Sequence, residues 1–340
     1  MSVLNRGKLL LDYLTRRTVV RGRPVEFIVE TTAKCNIYCP MCPRETFKQP
    51  NQDMPDEVYN AFLKQTKGTA ENAMLIGLGE PLLDRKIFER ITQCRRNHVS
   101  ALISTNGTLL NEKAAEKLLA TGVDHVTLSF DGTTRETYEF YRKGANFEKV
   151  RDNFVRLARM KHERRAHTCI SVQMILMKDT RRQVEEFMSF WKAVPGVDEV
   201  RVKADETDVL QPKTHASGDW KWPCHYLWRG AMYIKHNGDV YPCCQSYALG
   251  GGPVGNLLEQ PLEKIWNNDE MRRMRELHVS RRGGEIEICR KCCTTIPHPA
   301  LVAGSLILHG KTVRKLIPWV ERFTYLAKWP VKLLKPPQAA

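Results

Sequence analysis

The 340-residue sequence predicts an α/β protein: a partial (β/α)6 barrel followed by a small domain held together by cysteine ligands. Two observations carry that expectation. Short β-rich runs alternate with helical patterns between residues 25 and 203, and most cysteines beyond them fall in a region with little continuous apolar patterning. With 42% hydrophobic and 27% charged residues the chain is of globular type, and no apolar run approaches the ~18 residues that a spanning helix needs.

Residues 1–24 form a basic N-terminal segment. Arg6, Lys8, Arg16, Arg17, Arg21 and Arg23 stand against Asp12, and no apolar core precedes a small-residue cleavage site, so a secretory signal is not expected and the cytoplasm is. Residues 25–203 carry the barrel, with strands expected at 25–30, 73–78, 100–104, 125–130, 169–177 and 199–202. Between them Val58, Phe62 and Leu63, then Ile87, Ile91 and Cys94, then Ala114, Leu118 and Leu119 keep helical spacing. Strand–helix units in series imply a parallel sheet, because parallel neighbours need crossover connections. Six units are too few to close an eight-stranded barrel, so the barrel is expected to stay open, with its chemistry at the carboxyl ends of the strands.

Residues 204–219 are polar and suit a linker. Residues 220–298 hold a hairpin over 231–235 and 239–241 turned at Gly238, a Gly-rich turn at 250–252, and one helix around 262–277. A region this small is a marginal fold that bound metal would stabilise. Residues 299–340 form a basic tail. Of the net charge of +15, the two ends hold +5 and +6, so the basicity belongs to the termini. Within the tail, residues 311–329 place Val313, Leu316, Ile317, Val320, Phe323 and Ala327 on one helical face among Lys and Arg. Such a helix either lies on an anionic membrane, here the inner membrane face, or packs on its own barrel.

Eleven cysteines in a reducing compartment are better read as metal or cluster ligands than as disulfides. Cys94 and Cys169 stand apart and read as small core residues. Cys35, Cys39 and Cys42, spaced C-x3-C-x2-C in the loop after the first strand, supply three thiolates for the corners of an iron–sulfur cubane and leave the fourth iron open. A structural zinc site would want a fourth ligand, and no Cys or His lies between Cys42 and Cys94.

This loop resembles that of radical S-adenosylmethionine (SAM) enzymes, whose fold is a partial barrel of the kind the six units predict. The resemblance implies a 4Fe-4S cluster whose open iron chelates SAM, reductive cleavage to a 5′-deoxyadenosyl radical, and an electron donor of flavodoxin or ferredoxin type. Met41 stands where the family often has an aromatic residue. The segment 77–81 (Gly-Leu-Gly-Glu-Pro) resembles the family's Gly-Gly-Glu motif at Gly79 and Glu80, which implies contact with the SAM ammonium. Ser104 and Asn106 end the third strand, and Ser129 and Asp131 the fourth, where a ligand across the barrel mouth would need hydroxyl and amide partners. Asn106 and Asp131 equally suit caps or turns. In related peptide-modifying and sulfatase-maturing enzymes a serine and a later arginine hold the SAM carboxylate, and those positions match Ser129 and Arg142.

Thirteen residues separate Cys224 from Gly238, four more precede Cys243, and Cys289 and Cys292 follow as C-x2-C. This pattern resembles the SPASM domain in its reduced, twitch form, which implies one auxiliary 4Fe-4S cluster on Cys224, Cys243, Cys289 and Cys292. Cys244 and Cys293 adjoin two of these positions and are alternative ligands, and a structural zinc site is the alternative occupant. Four protein ligands leave no open iron, so electron transfer is the expected task of such a cluster. The whole predicts a radical SAM oxidoreductase acting on a small-molecule, sugar or lipid-linked substrate. A peptide- or protein-modifying maturase is the alternative, and a non-enzymatic zinc protein binding nucleic acid is the rival class, disfavoured because the basic residues lie outside the cysteine regions.

Overall fold

The computed structural model describes residues 3–44, 46–204 and 222–292, together with 302 and 304. The linker segment from 205, the tail helix expected at 311–329 and Cys293 lie outside the described residues.

Helix α1 (Val3–Leu14) leads into β1 (Glu26–Val29). Five more strands follow: β2 (Asn72–Met74), β3 (Ser100–Thr105), β4 (His125–Ser129), β5 (Cys169–Leu176) and β6 (Glu199–Ala204). Between them run α2 (Asp56–Thr66), α3 (Ile87–Arg96), α4 (Glu112–Ala120), α5 (Arg135–Tyr141), α6 (Phe147–Glu163) and α7 (Val184–Ala193). All six strands pair in parallel with their sequence neighbours. The second strand is shorter than the expected 73–78: after Leu75 donates to Leu102 the chain leaves the sheet into the Gly77–Glu80 turn.

Period-two alternation sorts the strand side chains. Phe27 and Val29, Ala101 and Ile103, Val126 and Leu128 face the helix layer and are fully or almost fully buried against Phe62, Ile91, Leu118, Phe154 and Trp191. Each such large side chain contributes about 1.5–3 kcal/mol. The other face carries Ile28, Met74, Ser104 and Ser129 into the barrel interior. Cys94 is a buried core residue, as expected, but Cys169 is only partly buried. It lies beside His125 and Glu199 at the amino ends of β4, β5 and β6, where His125 bonds Ser171 and Glu199 pairs with Arg201.

After the linker come α8 (Tyr226–Arg229), β7 (Gly230–Ile234), β8 (Asp239–Tyr241), β9 (Gly255–Asn256), α9 (Leu262–Trp266), α10 (Asp269–Val279) and α11 (Glu287–Lys291). Gly238 turns the β7–β8 hairpin at φ +90°. The single helix expected around 262–277 is two, because the side chain of Asn268 accepts from Met271 N and starts a new helix. Strand β7 pairs in parallel with β1, so one nine-stranded sheet runs β6-β5-β4-β3-β2-β1-β7-β8-β9.

The basic N-terminal segment is built into this body. Leu9 and Tyr13 are fully buried, Arg6 pairs with Glu71, and Arg21 pairs with the fully buried Asp12. Arg275, also fully buried, donates to the carbonyls of Leu227, Trp266 and Thr18 at 2.7–3.1 Å and lies over the Trp266 ring. It thereby joins α10, α8, α9 and the N-terminal segment. Arg275→Met should strand two buried carbonyls and a partly buried one, cost about 3 kcal/mol and lower the thermal midpoint of the anaerobic holoprotein by about 5 °C. An unchanged midpoint would show that the arginine is not the clamp.

Candidate functional site

Two sets of thiols stand at opposite ends of the β1–β7 pair. Cys35, Cys39 and Cys42 follow the carboxyl end of β1 in a loop closed by Cys42 N donating to Cys39 O and by the bridge between Tyr38 and Lys143. All three are half-buried. Burial pushes the Cys39 thiol up to about 11, against the lowering effect of Arg142, and the neighbouring Cys42 and Cys35 raise it further. Burial also raises Cys35 and Cys42. Three thiols that resist ionisation together are a donor set suited to cationic iron, which compensates the charge as protons leave. Met41 packs with Tyr141 and Met177 against Cys39.

The polar residues expected at the strand ends surround this loop. Glu80, 2% exposed, accepts from Thr105 Oγ1 (2.6 Å), Asn106 N (2.7 Å) and Leu82 N (3.1 Å), while burial raises its pKa. Asn106 donates to Asn36, which lies between Cys35 and Cys39, and accepts from Thr108 N in a local turn. The Ser104 and Ser129 hydroxyls meet at 3.3 Å. Asp131 is fully buried, taking Ile175 N on one oxygen and the Arg142 guanidinium on the other. Desolvation opposes the Arg142 charge, but Asp131 and Cys39 outweigh it, so its pKa stands above the ordinary value. Its Nη1 reaches Cys39 Sγ at 3.7 Å. Glu80 and Asp131 are both engaged by protein donors and hold the groups around the cysteine loop. Gly79 lies hard against the backbone that leads into the cysteine loop, since a Cβ there would lie 2.2 Å from Thr32 O and 2.7 Å from Lys34 O.

The second set lines one cavity. Cys224 precedes α8, Cys243 follows β8, and Cys289 and Cys292 flank the end of α11; all four face the cavity with Met274, Ile288 and His278. Burial pushes Cys224 up to about 12 and Cys243 to about 11, and raises Cys289. Cys244 packs instead against Tyr233, Tyr241 and Tyr247, a trio with ring centroids 5.0–6.0 Å apart. That trio packs in one apolar cluster with Ile28, Met74 and Leu78.

Residues that no sequence motif flagged complete the site. Glu30, fully buried at the end of β1, accepts from Tyr233 Oη (2.7 Å) and Leu78 N (3.3 Å) and meets His236 Nδ1 at 2.8 Å. His278, which burial pushes down to about 4, touches both Cys224 and Cys289. The available signal for Glu30 was a carboxylate inside a predicted buried strand, which requires a partner.

Two expectations follow. Gly79→Ala should displace the 32–34 backbone and lower iron at the first site, leaving about four irons of eight per chain; unchanged iron would show that the loop absorbs the methyl. Because burial raises the thiols of Cys35, Cys39, Cys42, Cys224, Cys243 and Cys289, each of these must shed a proton on ligation, so anaerobic cluster reconstitution should proceed further as pH rises from 7 toward 9. Iron incorporation independent of pH would refute this.

Residues 29–190 match the family model of the Radical SAM superfamily, and residues 224–293 match the SPASM iron-sulfur cluster-binding domain. The chain is 24% identical over 324 residues to an AdoMet-dependent heme synthase of Methanosarcina barkeri, covering 78% of this chain and 88% of that one. It is 25% identical over 283 residues to a PqqA peptide cyclase of Gluconobacter oxydans, covering 72% and 76%. In fold it is similar to BtrN in complex with AdoMet and 2-DOIA (TM-score 0.54, 18% identity, 80% and 94% covered) and to anSMEcpe with bound AdoMet (TM-score 0.58, 17% identity, 87% and 98% covered). With an open parallel sheet, a three-thiol loop at its first strand and a second thiol cavity, the chain belongs to the radical SAM superfamily, binds SAM and a 4Fe-4S cluster, and carries a SPASM domain for auxiliary iron–sulfur binding.

Proposed function

We propose that Cys35, Cys39 and Cys42 hold the SAM-binding cluster, that Cys224, Cys243, Cys289 and Cys292 hold one auxiliary 4Fe-4S cluster, and that the protein is an oxidoreductase. The observation that carries this reading is the placement of both thiol sets on one continuous strand pair, at the two ends of β1 and β7. Five residues of β7 span about 17 Å. When bound and reduced, the first cluster with SAM supplies a 5′-deoxyadenosyl radical that takes hydrogen from an unactivated C–H bond.

The chain's own residues prepare that chemistry. Arg142, fixed by Asp131, keeps a positive charge beside Cys39 and offsets the negative charge that three thiolates bring. Gly79 lets the turn after β2 close on the cysteine loop, and Glu80 and Asn106 tie that loop to the end of β3. Ser104 and Ser129 present hydroxyls in the barrel mouth, where with Arg142 they are the polar groups for SAM. Four protein thiols leave the auxiliary cluster without an open iron, which favours a part in electron transfer, with a flavodoxin- or ferredoxin-type protein as the external donor.

For the substrate we favour a small molecule, sugar or lipid-linked compound. A peptide is the second reading, supported by the similarity to a PqqA peptide cyclase. No described helix is long and apolar enough to cross a membrane, and the tail offered for peripheral membrane contact lies outside the described residues. Anaerobic incubation with SAM and dithionite should yield 5′-deoxyadenosine. Polar, lipid-soluble and peptide fractions added in turn should separate the substrate classes by which one raises that yield.

Cys35→Ala, Cys39→Ala or Cys42→Ala should remove one cluster and take 5′-deoxyadenosine below detection; retained cleavage refutes the first assignment. Cys289→Ala should leave cleavage measurable but abolish or divert product. Wild-type cleavage and product in that variant would show that the auxiliary cluster has no part in turnover.

A further inference from the structure

His278 lies in the last turn of α10, 2% exposed, with its ring in the wall of the auxiliary cavity. Its two nitrogens face two different cysteines. Nδ1 accepts the backbone N–H of Cys224 at 3.3 Å, and Nε2 stands 3.5 Å from Cys289 Sγ. A ring nitrogen that accepts a hydrogen bond carries no proton, so the proton of the neutral ring resides on Nε2 and points at the sulfur. Helix α10 cannot turn the ring away, because Met271, Met274 and Arg275 bury the same helical face and Arg275 is bonded to three separate backbone segments.

We propose that His278 donates a hydrogen bond to the Cys289 thiolate and thereby raises the reduction potential of the auxiliary cluster. The proposal rests on the assignment of Cys289 as a cluster ligand. Four cysteines already supply one ligand for each iron, and the nitrogen nearest the sulfur is the protonated one, so the ring is a positioning and tuning group and not a fifth ligand. A donor on the thiolate stabilises the reduced cluster, which carries one more negative charge, more than the oxidised one. The electron is therefore accepted more readily than it would be by four thiolates in apolar surroundings.

The test is an anaerobic, EPR-monitored redox titration of the fully reconstituted full-length protein, with the SAM-binding cluster as internal reference. His278→Leu should move the auxiliary midpoint negative, so that at the wild-type midpoint the reduced-to-oxidised ratio falls about tenfold, equivalent to about 59 mV for one electron. His278→Gln, which keeps an acceptor and a donor, should recover part of that shift, and the reference cluster should not move. A midpoint unchanged in the Leu variant at full iron content, or an equal shift of both clusters, overturns the proposal. Pulsed EPR of unmutated protein labelled with 15N-histidine needs no variant. A weak nitrogen coupling to the reduced auxiliary cluster is expected, whereas none, or one of the size of direct ligation, overturns the tuning role. Wild-type protein with about four irons instead of about eight would remove the ligand assignment itself.

Discussion

The parallel pairing of β1 with β7 is the constraint on which the rest of the molecule depends. A β1 edge left free would end the barrel, and residues after the linker would form a separate body. Because β7 docks there, the hairpin and the helices behind it are registered against the strand that leads into Cys35. The register Ile28 to Tyr233 and Val29 to Ile234 sets how far the second cysteine cavity lies from the first. The same pairing carries the tyrosine trio into the barrel interior and brings His236 to Glu30.

Three buried carboxylates show how the barrel mouth is kept rigid without filling it. Glu30, Glu80 and Asp131 each end a strand or follow one closely, and each costs desolvation that protein donors must offset. Glu30 joins β1 to the 77–80 turn and to β7; Glu80 joins that turn to β3; Asp131 joins β5 to Arg142. Successive loops at the carboxyl end of the sheet are thus coupled pairwise, and the cysteine loop rests on all of them through Asn36, Lys34 and Arg142.

The strands were legible because alternation and β-branched runs are local signals, and the cysteine sets because thiols at C-x3-C-x2-C and C-x2-C spacing have few other uses. What escaped were contacts between distant positions. Glu30 and His236 are 206 residues apart, and nothing around either residue names the other. The protein partner of Arg142 was equally hidden: the resemblance implied a role toward the SAM carboxylate and named no Asp131 beside it. The N-terminal segment read as a basic appendage because its charges are conspicuous, yet Leu9, Asp12 and Tyr13 are fully buried, and short apolar runs among arginines do not say which surface they dock on. The break between α9 and α10 turned on one capping side chain, Asn268, inside an otherwise helical pattern.

The continuous sheet has a consequence for how the chain can be divided. Its outer barrel edge, β6, presents Glu199, Arg201 and Lys203, the kind of charged edge that discourages strand addition. Strand β1 has no such protection: Phe27, Ile28 and Val29 are buried from both sides, and their backbone is satisfied by β7. A barrel cut away from its second module would therefore expose an apolar, unguarded template for intermolecular pairing. The auxiliary region thus covers the edge that the barrel would otherwise leave bare, a structural task separate from any chemistry at its thiols.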